Sequence, residues 1–300
     1  MAPTGLLACI AHTGKWPNLL LNSAQIRSVP ALATLALVAG CGASRDTVRA
    51  QNRLDLAKDL LGKGETIGAE SEARHALEFD ARSEEAHNLL GLVYVTRARN
   101  DSQLMERADC LSVADASALR AESDEFMRKA AQEFATATEF APDYGEAWEN
   151  RGVVAMYFHD WDKAIEHEQQ ALAHLERLDS APLARANLGW AFFQKQDYLH
   201  AMTELLQANQ GAQYFCLGKY RLASVQFARN EFDRAAETLA PMFANDKLCP
   251  PIQEAHYLGG QTFLRLHDRD AAARAFRACV ETAPKSCQAA ECKKALAEVQ

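Results

Sequence analysis

The sequence predicts an all-α solenoid, a stack of helix pairs with no sheet. Small residues recur at Ala130, Ala164, Ala201, Ala235 and Ala272, with spacings of 34, 37, 34 and 37 residues. A fixed period of this length is typical of helical repeat proteins. No stretch shows the sustained two-residue alternation that marks a half-buried strand. We therefore expect about six helix-turn-helix units.

Two further positions recur in the same register. About twelve residues before the last four of these alanines the chain carries Gly152, Gly189, Ala223 and Gly260. Seven residues after all five it carries Ala137, Ala171, Ala208, Met242 and Cys279. This pattern resembles the tetratricopeptide-repeat (TPR) family, which implies paired helices that approach closely at small residues and a superhelix with a concave groove.

In this register the TPR superhelix occupies residues 50–300. The first repeat spans 50–83, and repeats three to six span 145–181, 182–215, 216–252 and 253–286, followed by a capping helix. Repeat two begins at Glu84 and exceeds the family length. We expect an insertion at about 100–125 and a second helix that begins near Phe126. Most prolines fall at repeat junctions, but Pro241 should end or kink the second helix of repeat five early.

The composition is that of a protein with a substantial buried core. The chain has 300 residues, 48% hydrophobic and 24% charged, with 32 Lys and Arg against 40 Asp and Glu. Disordered, collagenous and polytopic membrane proteins are excluded. The acidic balance argues against nucleic-acid binding, which depends on clustered Lys and Arg.

The N-terminal segment resembles a lipoprotein signal peptide. An apolar run over 29–39 is too short to span a bilayer as a helix, and it ends in Val38-Ala39-Gly40-Cys41, which resembles a lipobox. We expect residues 1–40 to be removed, Cys41 to carry diacylglycerol and palmitate, and residues 41–49 to form a lipidated linker. Gly42 favours the outer membrane, with the repeats facing the periplasm. The alternative is an ordinary secretory signal that precedes a cysteine.

The sequence holds no recognisable catalytic or cofactor motif. It lacks a glycine-rich phosphate loop, a Gly-x-Ser-x-Gly elbow and a His-Glu-x-x-His helix, because Ala171 stands where the second histidine would follow His167-Glu168. Acidic residues such as Asp268 are expected as helix caps. We therefore predict a non-enzymatic protein with no metal and no cofactor.

Five cysteines of the repeat region are disulfide candidates: Cys216, Cys249, Cys279, Cys287 and Cys292. Disulfides are expected in an exported protein. The first two are 33 residues apart, about one repeat, which brings them within bridging distance. We expect Cys279 to pair with Cys287 or Cys292 and to fasten the capping helix. Cys110 has no obvious partner.

The TPR resemblance implies which first-helix positions face the groove. They are Val153, Met156 and Tyr157 in repeat three, Ala186, Trp190 and Phe193 in repeat four, Leu217, Tyr220 and Phe227 in repeat five, and Tyr257, Gln261 and Leu264 in repeat six. The predicted partner-binding residues are Val153, Met156, Tyr157, Trp190, Phe193, Tyr220, Phe227 and Tyr257. Asn150 and Asn187 match a family asparagine that bonds a peptide backbone. The alternative is that the aromatic side chains pack between helices or against the insertion.

A lipoprotein with about six TPRs resembles the pilotins of type IV pilus secretins, the PilF/PilW/Tgl family. The resemblance implies an outer-membrane secretin as the protein partner and a role in secretin assembly. The alternative function is a periplasmic TPR scaffold for cell-envelope enzymes or for outer-membrane protein assembly.

Overall fold

The computed structural model describes residues 45–107, 113–211, 215–244, 249 and 252–299, without the side chains of 100–107, 113–116, 211 and 244. The predicted signal peptide, Cys41 and Cys110 lie outside these residues. The described ranges contain thirteen α-helices, a short 3₁₀ helix and no strand. The all-α prediction is confirmed.

The helices follow one another as pairs. Their bounds are α1 Arg45–Gly62, α2 Thr66–Phe79, α3 Glu84–Arg107, α4 Val113–Phe140, α5 Gly145–Tyr157, α6 Trp161–Ala173, α7 Ala181–Gln194, α8 Tyr198–Gly211, α9 Cys216–Ala228, α10 Phe232–Ala244, α11 Gln253–Arg265, α12 Arg269–Thr282 and α13 Cys287–Val299. Each odd-numbered helix packs on the next even-numbered one to form a repeat, and each repeat packs on the following repeat. The capping helix α13 packs on α12 and covers the last repeat with Val299 and Leu296.

The helices of a repeat meet at small residues. One alanine of each second helix is completely buried, and these anchor alanines are Ala69, Ala130, Ala164, Ala201, Ala235 and Ala272. Four residues further along, a large side chain such as Phe276 fills the gap above a small residue of the first helix. A Cβ added to Gly260 would lie 2.4 Å from Phe276 Cε1, which is closer than two non-bonded carbon atoms can approach. Glycine is therefore the residue that fits at this position.

The turn between the two helices has the same backbone geometry in five repeats. One residue adopts a positive φ, between 57° and 80°, at Gly64, His159, Gln196, Asn230 and His267. The next N–H then bonds a carbonyl five residues back, as Asp197 N does to Phe192 O at 2.9 Å. This left-handed helix end allows a tight reversal, and Asp268 then caps α12 by accepting from Ala271 N.

Three helix boundaries differ from the sequence expectation. α1 begins at Arg45, so residues 45–49 are helical rather than linker. α4 begins at Val113 rather than near Phe126, because residues 113–125 include four alanines, the residue with the highest helix propensity. The buried Ser123 hydroxyl donates to Ala98 O at 3.3 Å, so α3 and α4 still pair in this part of the insertion. Pro241 does not end α10, which continues to Ala244.

Two disulfides tie the C-terminal half together. Cys216 at the start of α9 is bonded to Cys249 after α10, and Cys279 of α12 is bonded to Cys292 of α13. Of the two partners expected for Cys279, the structure selects Cys292. Cys287 is also disulfide-bonded. In the chain-entropy model, closing the loop between Cys216 and Cys249 contributes about 3 to 4 kcal/mol.

The positive φ of Gln196 generates a stability prediction. Gln196 is exposed and has a φ of 63°, where an L side chain is unfavourable. We expect Gln196→Gly to raise the free energy of unfolding by about 1 kcal/mol in urea titrations. The matched control, Gln169→Gly at an exposed position inside α6, should lower it by about the same amount. Equal losses in both variants would contradict this account of the turn.

Candidate partner-binding groove

The first helices of repeats three to six carry all eight predicted partner-binding side chains. Contacts of α5 with α7, α7 with α9, and α9 with α11 place these helices side by side. All eight side chains are half-buried. None lies completely beneath another helix, and none is fully exposed.

Trp190 is the centre of an aromatic patch that crosses from repeat four to repeat five. Its ring centroid is 5.0 Å from that of Phe193 on the same helix and 6.1 Å from that of Tyr220 on α9. The guanidinium carbon of Arg221 lies 5.6 Å from the Trp190 ring centroid. Partly exposed rings of two successive repeats therefore form one continuous surface.

The remaining aromatic groove residues also support the core. Phe227 lies 5.3 Å, between ring centroids, from Phe232, and Tyr257 lies 5.8 Å from Phe276. Both pack against buried clusters of their repeats. Packing between helices, the alternative left open by the sequence, is therefore present at both rings. Both also keep part of their surface in solvent, and partner binding there stays a prediction.

The groove side chains of repeat three adjoin the long helix α4. The Tyr157 hydroxyl donates to Asp124 Oδ1 at 2.8 Å, and burial together with this bond raises the pKa of Tyr157 to about 12. Met156 packs against Ala155 and Ala164. Val153 is half-buried on the same helix. Contact with the insertion, an alternative left open by the sequence, is therefore present at Tyr157.

The remaining expected groove positions differ from one another in burial. Ala186 is fully buried and cannot line the groove, because it lies in the core between α7 and α8. Leu217 and Gln261 are half-buried, whereas Leu264 is exposed.

The two asparagines are engaged within the protein. Asn150 Nδ2 donates to Asn88 Oδ1 at 2.9 Å, and Arg221 Nη1 donates to Asn187 Oδ1 at 2.7 Å. Both bonds connect different repeats, so these amides stabilise the stacking of repeats. Sequence reasoning missed Arg221, although it stands 34 residues after Asn187, at the corresponding position of the next repeat.

An unusual polar cluster lies beside these residues. Glu168 is fully buried, and neither of its carboxyl oxygens has a hydrogen-bond partner in the described structure. Burial, and then the charge of Glu149, raises the pKa of Glu168 well above its usual value. Burial also lowers the pKa of Arg221 to about 10.

Glu149 is also buried, with 6% of its surface exposed. Burial, followed by the charges of Glu146 and Asp179, raises the pKa of Glu149 to about 7. No hydrogen bond or ion pair to this carboxyl exists among the described residues. Helix α5 of repeat three therefore carries a buried acid that is costly to ionise.

The described part of the chain has no group of three His, Cys, Asp or Glu side chains arranged to hold a metal ion. In those same ranges, none of the helices is both long and apolar enough to cross a membrane.

The raised pKa of Glu149 predicts a pH dependence of stability. The folded state binds this proton more tightly than the unfolded chain, so the contribution is fully favourable below about pH 4.5 and is lost as pH rises through about 7. Glu149→Gln should remove this loss and raise the free energy of unfolding at pH 8 by up to about 3 kcal/mol. Glu78→Gln, at an exposed position on α2, should leave this loss of stability in place. An unchanged profile in Glu149→Gln would refute the assignment.

Comparison with solved structures identifies similar folds. Neither a protein-family model nor a curated protein matches the sequence. PilF of Pseudomonas aeruginosa matches with a TM-score of 0.60 and 18% identity, covering 83% of this chain and 98% of its own. PilW, described as a widely conserved type IV pilus biogenesis factor, matches with a TM-score of 0.60 and 17% identity over 81% of this chain and 97% of its own.

A third matching structure contains a longer chain, and the match covers about half of it. The structure of the Cut9–Hcn1 hetero-tetramer of the APC/C matches with a TM-score of 0.53 and 19% identity over 82% of this chain, but over only 48% of the matched chain. At these identities the likeness concerns the fold. The repeat register, the buried anchor alanines and these neighbours together identify the chain as an all-α helical-repeat solenoid similar in fold to PilF and PilW.

Proposed function

We propose that the chain is a non-enzymatic outer-membrane lipoprotein, anchored through Cys41, that binds a protein partner in its groove and acts as a pilotin in type IV pilus secretin assembly. The aromatic patch of Trp190, Phe193 and Tyr220 carries the proposal. These rings lie on two successive first helices and remain half-exposed although they touch one another.

Half-exposed aromatic side chains suit a protein partner. A ring whose back is fixed by neighbouring side chains loses little conformational entropy when a partner covers its front. Trp and Tyr are over-represented among the residues that dominate binding energy. The patch continues towards Phe227, where Arg265 lies 6.0 Å from the ring centroid, so an extended apolar segment with an occasional acidic side chain would match it.

The size of the solenoid favours a pilotin over a larger scaffold. The structural match with this chain extends over nearly the whole length of PilF and of PilW, so this chain has about as many repeats as they do. The lipobox-like Val38-Ala39-Gly40-Cys41 would supply a membrane anchor of the type expected for such a protein.

The groove hypothesis predicts the effect of removing two rings. Trp190→Ala with Tyr220→Ala should weaken partner binding by thirtyfold or more, because each aromatic anchor typically contributes about 2 kcal/mol or more. Secretin multimers and pili should decrease, while circular dichroism and membrane fractionation of this protein stay unchanged.

The matched control is Leu199→Ala with Leu206→Ala, which removes two exposed apolar side chains from the second helix α8. Normal multimers in the Trp190/Tyr220 variant would exclude the groove as the secretin site. Affinity capture that recovers envelope enzymes or barrel-assembly proteins, and no secretin, would instead support the scaffold function.

The anchoring hypothesis has its own test. Cys41→Ser should yield a soluble or uncleaved protein, because the thiol that accepts diacylglycerol is lost. Mass spectrometry of the wild-type protein should find an acylated N-terminal Cys41. An unmodified mature protein that begins elsewhere would show that the anchor is absent, and it would leave the groove hypothesis intact.

A further inference from the structure

A pocket of about 430 Å³ opens between α4, α5 and α6, on a different face of α5 from the groove side chains Val153 and Tyr157. Its lining combines apolar and charged residues: Ala131, Arg151, Val154, Ala155, Phe158, Asp160, Lys163 and His167. The volume falls within the range of small-ligand sites.

His167 occupies a position that carries an ion-paired acid in three other repeats. Three residues after the anchor alanine, repeats one, two and four carry an acid that pairs with a basic residue of the first helix. These pairs are Arg53–Glu72 at 2.7 Å, His87–Glu133 at 2.7 Å and Arg185–Glu204 at 2.8 Å. In repeat three the same two positions hold Trp148 and His167, whose ring centroids are 5.5 Å apart.

This exchange leaves a buried polar atom without a partner. His167 is only 7% exposed, and its Nδ1 has no hydrogen-bond partner in the described structure. Burial, followed by the charge of Arg151, lowers the pKa of His167 to about 4, so the ring is neutral at physiological pH. A neutral imidazole still offers one N–H donor.

Arg151 is the second pocket residue that differs from its counterparts in other repeats. The corresponding first-helix residue is a buried leucine in repeats two, four and five, namely Leu90, Leu188 and Leu222. Arg151 Nη1 donates to the Thr138 hydroxyl at 2.9 Å, and the guanidinium carbon lies 4.5 Å from the Trp148 ring centroid. No carboxylate of the described residues lies within ion-pair distance of Arg151.

The other two charges of the pocket neutralise each other. Lys163 Nζ lies 2.6 Å from Asp160 Oδ2, and Asp160 Oδ1 also caps α6 by accepting from Lys163 N. The charge of Glu166 also acts on Arg151 and His167, but it lies beyond ion-pair distance of the guanidinium. The site therefore presents a guanidinium without a carboxylate in direct contact, beside a neutral imidazole. Its remaining walls are apolar, formed by Ala131, Val154, Ala155 and Phe158.

We propose that this pocket binds a small amphiphilic carboxylate, with its apolar body against Val154, Ala155 and Phe158 and its carboxylate on Arg151 and His167. The anion supplies the negative charge that Arg151 lacks and an acceptor for the imidazole N–H. This site is independent of partner binding in the groove. Binding of this anion also explains why Arg151 replaces a leucine in repeat three, and why Trp148 and His167 replace an ion pair.

Octanoate is the probe, and isothermal titration calorimetry with the purified protein is the measurement. We expect octanoate to bind and the uncharged octanol and cationic octylamine to bind at least tenfold more weakly. Arg151→Leu, which restores the residue of the other repeats, should fold normally and lower octanoate affinity at least tenfold, because hydrogen bonds to charged groups are the stronger kind. Arg128→Leu, an exposed change on α4, should have no effect.

A second readout locates the anion. Octanoate should raise the pKa of His167 in an NMR titration, because a nearby negative charge favours the imidazolium, whereas octanol should not. Absence of octanoate binding, equal binding of octanol, or unchanged affinity in Arg151→Leu would each overturn the proposal.

Discussion

Close contact between the two helices of each repeat is the constraint on which the rest of the structure depends. It requires a completely buried alanine in the second helix and a small residue opposite a large one, as at Gly260 and Phe276. From Ala130 onwards this contact recurs every 34 or 37 residues, so successive repeats stack in a similar way. The first helices therefore stay side by side and present a continuous surface.

Repeat three keeps this geometry but replaces the chemistry of its contacts. Glu168 fills the position that holds Phe134, Leu205, Leu239 or Phe276 in other repeats. A Cβ on Gly152 would lie 2.5 Å from Glu168 Oε1, so the carboxyl occupies the space of an apolar side chain. Unpaired buried polar groups reduce stability. Two of the five described residues that carry such a group, His167 and Glu168, lie in this repeat, and another two, Asn187 and Asn209, lie in the next.

The groove gains its rigidity from the same packing. Phe193, Tyr220 and Phe227 each rest against a buried cluster, so their exposed faces have fixed positions. The disulfide between Cys216 and Cys249 holds the start of α9, which carries Tyr220, against the segment that precedes α11. Binding to this surface would require little rearrangement, which favours affinity.

The sequence by itself determined the fold class and the repeat register, because these depend on residues a fixed number of positions apart. It also identified the spacing of the disulfide between Cys216 and Cys249. It could not show that Ala186 is buried, that α4 begins at Val113 or that α10 continues through Pro241. Only the tertiary structure revealed that His167 and Glu168 have buried atoms without a hydrogen-bond partner and that Arg151 has no carboxylate within ion-pair distance. A missing partner depends on every helix that packs around a side chain.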